Sequence, residues 1–153
     1  MMFKLIIILS LLLVSCEDYG NEPGCEDACG VCDGDNSTCS GCINVYAENY
    51  NEDAIVNDEN SCVFTYDSIS DIFVQHCNVC HSAQQGTLGG LDLSSYSDDG
   101  WPGNTGASVV DGDAENSLLY IRVEDDEMPQ PPASPLSSDQ KNAIREWINQ
   151  GAN

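Results

Sequence analysis

The stretch "FVQHCNVCHSAQQG", Phe73 to Gly86, holds Cys77, Cys80 and both histidines of the chain, with a C-x-x-C-H pentapeptide running from Cys77 to His81. Two thiols and an imidazole at that spacing can serve a haem, a zinc ion, a redox disulfide or no cofactor. A structural zinc site takes four ligands, and once the six cysteines of residues 25–62 are assigned to disulfides no second C-x-x-C or H-x-x-H pair remains. A thioredoxin-like pair belongs near a βαβ pattern, whereas this motif ends an amphipathic helix. Ile69, Ile72, Phe73, His76 and Cys77 recur on one helical face, with Asp67 or Ser68 as a cap for its start. In the remaining chemistry, covalent haem c, Cys77 and Cys80 each add to a vinyl group and His81 supplies its imidazole to the iron.

Such a site forms after export. The opening "MMFKLIIILSLLLVSC" has one cation, Lys4, then ten apolar residues from Leu5 to Val14, about half of a membrane span. It reads as a secretory signal, residues 1–15. Its end, Leu13-Val14-Ser15-Cys16, resembles the lipobox of bacterial lipoproteins, which implies cleavage before Cys16 and lipidation of that residue. The expectation is an exported chain, anchored to a bacterial membrane by lipid, periplasmic or on the cell surface. Disulfides are permitted there.

The chain carries 26 acidic and four basic residues. Without Lys4 the cations are Arg122, Lys141 and Arg145. Nucleic acid and anionic lipid surfaces are therefore poor partners. No catalytic triad, phosphate loop or paired acid/base constellation stands out, so the expectation is an electron carrier and not an enzyme.

The cysteines number nine, an awkward odd count for an exported protein. With Cys16 assigned to lipid and Cys77 and Cys80 to a cofactor, six remain: Cys25, Cys29, Cys32, Cys39, Cys42 and Cys62. All lie in a segment with few large aliphatics, where staples are most needed. The organisation expected is a signal over 1–15, a polar tether over 16–24, a cysteine-rich disulfide module over 25–64 and a helical domain over 65–153. In the last, Ala143, Ile144, Trp147 and Ile148 mark a second amphipathic helix. Ser137 with Gln140 forms its capping box and Gly151 its C-terminal cap. A shorter helix is expected from Asn116 to Val123. Asp33, Asp35 and Asn36 offer oxygens to calcium but lack the full twelve-residue loop, so a solvated turn is the favoured reading there.

An electron-carrying haem commonly has a second axial ligand. Met128 is the one methionine beyond the signal, and His76, adjacent to Cys77, cannot easily reach the far side of the ring. Met128 opens the proline-stiffened run "MPQPPASPLSS", which presents a thioether at low entropic cost.

The segment from about 66 to 152 resembles class I cytochrome c domains, in particular a bacterial subgroup. The likeness is carried by Cys77-x-x-Cys80-His81, "GGLDL" from Gly89, Asp113 to Tyr120, Met128-Pro129, and "IREWINQGA" from Ile144. It implies a mainly α fold: a small cytochrome c-like haem domain with a loop-rich middle, its first and last helices crossing through Ile72, Phe73, Ile144, Trp147 and Ile148. Leu118 and Leu119 would line the haem pocket. "CEDACGVCDGDNSTCSGC" and "GCINVYAENYNEDAIVNDENSC" resemble short repeats of secreted proteins, which implies a disulfide-stapled spacer with Cys42 bonded to Cys62. The function expected is single-electron transfer through one haem c, held by Cys77 and Cys80, with His81 and Met128 on the iron. Two alternatives stay open: a haem sensor with a vacant sixth position, and a surface interaction protein working through the cysteine-rich repeat. "EDDE", Glu124 to Glu127, is read as an acidic rim for a basic redox protein partner or as a solvated loop. Arg122 has two candidate partners, a haem propionate or these acids. Trp101 has two candidate places, the haem edge or the surface.

Overall fold

The computed structural model describes residues 26–97, 99–104 and 106–153. The expectations for the signal, the tether, Cys16 and Cys25 lie outside these residues. The chain divides into two compact units at Thr38 and Cys39.

In the first unit the described residues are organised by Asp27, which no motif had singled out. Its carboxylate accepts the N–H groups of Cys29, Val31 and Asn36 at 2.7–2.9 Å. The Val31 N–H is the largest of the causes that hold its carboxyl below the ordinary range. A Cβ on Gly34 would collide with the same carboxylate. The Asn36 side chain accepts from Ala28 N at 2.8 Å, and Asp35 accepts from Ser37 N at 3.0 Å. These oxygens serve the turn. Cys29 and Cys32 are disulfide-bonded, as is Cys39 in the second unit.

The second unit has three α-helices and little sheet among its described residues. Its α-helices are α1 (Tyr66–His76), α2 (Leu118–Glu124) and α3 (Ser138–Asn149). Sheet is confined to two-residue pairs: β1 (Ser40–Gly41) parallel to β2 (Val56–Asn57), β3 (His81–Ser82) antiparallel to β4 (Gly86–Thr87), and β5 (Pro102–Gly103) antiparallel to β6 (Gly106–Ala107). Among the described residues no helix is long and apolar enough to cross a membrane.

The cap of helix α1 lies two residues before the nearer of the expected caps. Thr65 is the N-cap, and its hydroxyl and that of Ser68 bond reciprocally to each other's backbone N–H. Ser68 thus fills the inner position of a capping box, where Glu or Gln is the familiar residue. Thr65 also donates to Glu48 at 2.7 Å, a contact that sequence spacing does not reveal. Helix α3 matches its capping box, Ser137 with Gln140. It ends with Gly151 N and Ala152 N donating to Ile148 O and Trp147 O, both at 2.9 Å. That is a Schellman motif, and Gly151, at φ +103°, occupies its left-handed position.

The two long helices bury Ile69, Ile72 and Phe73 with Ala143, Ile144, Trp147 and Ile148. Trp101 is in the core and not on the surface. It is 2% exposed, with ring centroids 5.2 Å from Phe73 and 5.4 Å from Trp147, and its indole N–H donates to Ser95 O. Each such aromatic pair contributes about 0.5–1.5 kcal/mol beyond its area.

Cys42 and Cys62 are bonded to each other. The loop they close belongs to the same compact unit as the helices. Asn44 Nδ2 donates to Asp139 O and Asn142 Oδ1. Gln150 bonds both Cys62 O and Phe64 N, and Phe64 is buried in the core. Replacing both Cys42 and Cys62 with alanine is expected to destabilise the whole helical unit by about 3 kcal/mol. Denaturant unfolding followed by tryptophan fluorescence measures it. An unchanged midpoint would show the loop to be energetically separate.

Candidate haem site

The C-x-x-C-H segment is a continuation of α1. Phe73 O accepts from both Cys77 N and Asn78 N at 2.9 Å, and Cys77 O accepts from Cys80 N at 3.0 Å and His81 N at 2.9 Å. The chain then turns back through β3 and β4. This hairpin brings Leu88 O to 2.9 Å from His81 Nδ1. A carbonyl only accepts, so Nδ1 carries the proton and Nε2 keeps its lone pair for a metal. Orienting a ligand imidazole through its other nitrogen is a common device of metal sites. Leu88 was missed by sequence reasoning because a backbone carbonyl has no residue signature.

Phe73, Cys77 and His81 line a cavity of about 350 Å³ whose other walls include Leu118, Leu119 and Met128. That volume lies within the usual range for cofactor and ligand pockets, about 300–1,000 Å³. Gly89 also lines it, and a Cβ there would meet nothing within 4 Å. The backbone at Gly89 therefore borders open space that a bound group can occupy. The few polar wall residues include Asn104, Ser108 and Arg122. An apolar cavity that joins a thiol, an imidazole with a free Nε2 and a thioether fits haem c.

The competing chemistries fit less well. Burial, with the neighbouring Cys80 as a second cause, pushes the Cys77 thiol up to about 12, whereas a redox-active cysteine needs a depressed value. Among the described residues no group of three or more His, Cys, Asp or Glu is placed to hold a metal by itself. His76 is not on the cavity wall; its Nε2 accepts from Gln140 Nε2 at 3.1 Å, joining α1 to α3.

Met128 is half-buried against the core. Its N–H and that of Glu127 both donate to Arg122 O at 2.9 Å, so the end of α2 places it. Arg122 reaches the cavity wall and pairs with Glu127, the second of its two expected partners. Asp126 pairs with Lys141 at 2.7 Å. Two of the four acids in "EDDE" are thus engaged in ion pairs within the unit.

A family model described as Planctomycete cytochrome C matches residues 77–133, from the first motif cysteine past Met128. The match supports a cytochrome c-like domain in this part of the chain. No curated protein and no solved structure matches.

In haem-free protein, alkylation is expected at exposed Cys80 well before Cys77. The lag at Cys77 should persist from about pH 7 to 9, because its thiol stays un-ionised across that window. Mass spectrometry of timed samples reads both sites, and equal rates would contradict the burial of Cys77.

Proposed function

We propose that residues 65–153 carry single electrons through one covalent haem c, with His81 and Met128 as axial ligands. The observation that carries this reading is the convergence of Cys77, His81 and Met128 on one apolar cavity, with His81 Nδ1 tied to Leu88 O. When bound, haem c supplies an iron that alternates between ferric and ferrous states. Cys77 and Cys80 hold the ring by thioether bonds. His81 would present Nε2 to the iron and Met128 its sulfur. Phe73, Leu118, Leu119 and Val123 exclude water from the cavity. A thioether ligand and a dry, apolar shell both raise the potential. Cys16 anchors the exported chain to a bacterial membrane by lipid, and a redox protein with a basic face exchanges the electron.

Expression with haem-attachment machinery should yield one haem per chain that survives denaturation and solvent extraction. Cys77→Ala with Cys80→Ala should abolish that retention. Met128→Ala should keep the haem, lose the sulfur-to-iron charge-transfer band of the ferric protein and lower the potential. Extractable haem in the wild type would end the covalent reading, and a band that survives Met128→Ala would end the axial assignment.

A further inference from the structure

The link between α2 and Met128, and the first turn of α3, each hold a residue that goes against a local preference. α2 closes in a Schellman pattern, with Asp126 N donating to Val123 O and Glu127 N to Arg122 O. The left-handed position of that motif, usually glycine, is filled by Asp126 at φ +57°. Asp is among the few residues with a side chain that visit this region, but glycine does so at lower cost. Lys141 lies in the first turn of α3, where the helix dipole disfavours a cation.

The tertiary structure joins the two exceptions. Lys141 Nζ reaches Asp126 Oδ1 at 2.7 Å and Glu124 O, at the C-terminus of α2, at 3.0 Å. Its side chain is only 18% exposed. A cation beside the C-terminal carbonyls of α2 is favourable. The chain has 26 acids, yet this lysine takes the one in the left-handed position two residues before Met128. Arg122 grips the same link through Glu127. Two of the three cations among the described residues therefore fasten the four residues that precede Met128.

We propose that Lys141 and Asp126 form a clamp from α3 that positions Met128 and keeps its sulfur in the cavity. The proposal rests on Met128 being the axial ligand, and it assigns the pair as positioning residues that touch neither iron nor ring. Local sequence physics disfavours both side chains where they stand, so their pairing is what accounts for them. The clamp lowers the fraction of time in which the methionine is off the iron. A foreign ligand that needs that open state binds in proportion to its population.

The test uses the ferric holoprotein, with imidazole as probe. Asp126→Gly relieves the backbone while removing the carboxylate, so a purely structural role predicts an equally or more stable protein with unchanged imidazole affinity. The clamp predicts that Asp126→Gly and Lys141→Met each raise apparent imidazole affinity about two- to five-fold, the range open to a partly exposed ion pair. It also predicts a weaker charge-transfer band in both, with Lys141→Arg close to wild type. Unchanged affinity in both charge-removing variants, or an equal rise in Lys141→Arg, overturns the clamp. A wild-type protein without the band would overturn the Met128 assignment itself, a result the variants cannot mimic.

Discussion

Phe73 has three duties that belong to different levels of the structure. Its ring packs against Tyr66, Trp101 and Trp147 at the crossing of α1 and α3. Its side chain lines the cavity. Its carbonyl accepts the N–H groups of both Cys77 and Asn78. The helix crossing therefore sets where the thiols begin, and the turn that follows sets where His81 points. The aromatic cluster, the cavity wall and the ligand-bearing turn share one residue that is fully buried, so none of the three can move without the others.

The cavity opens to solvent beside exposed Leu88 and Gly89, while Phe73, Leu119 and Ile144 close its inner side. The Cys42–Cys62 loop and the residue pair that follows it add buried Cys42, Ala47, Cys62 and Phe64 to the core.

Charge is distributed with the same logic. No Asp, Glu, Lys or Arg occurs from Ile72 to Leu91, although the chain has 26 acids. The wall that carries Cys77 and His81 is thus built from an uncharged stretch, and carboxylates, which would favour ferric iron, are kept out of it. The cations Arg122, Lys141 and Arg145 are each paired with an acid of the same unit. Among the described residues no acidic side chain is buried, and net negative charge promotes solubility.

What was legible in the sequence is what depends on neighbours along the chain. The face of Ile69, Ile72 and Phe73, that of Ile144, Trp147 and Ile148, the Ser137–Gln140 box and the glycine at 151 all follow from helical periodicity and terminal hydrogen bonding. The C-x-x-C-H spacing is local too. Tertiary structure decided what depends on residues far apart. Trp101, beside a proline in a polar stretch, carries no sign that it enters the core. The loop from Cys42 to Cys62 looks like a spacer until Asn44, Phe64 and Gln150 tie it to α3. Leu88 orients His81 through a carbonyl, which every residue possesses, so only the β3–β4 hairpin could select it. Asp126 and Lys141 each stand against local preference, and their pairing emerges only where the end of α2 meets the first turn of α3. By itself the sequence determined which atoms could bind a haem; the fold decided which of them meet around one cavity, because those contacts come from packing between distant segments.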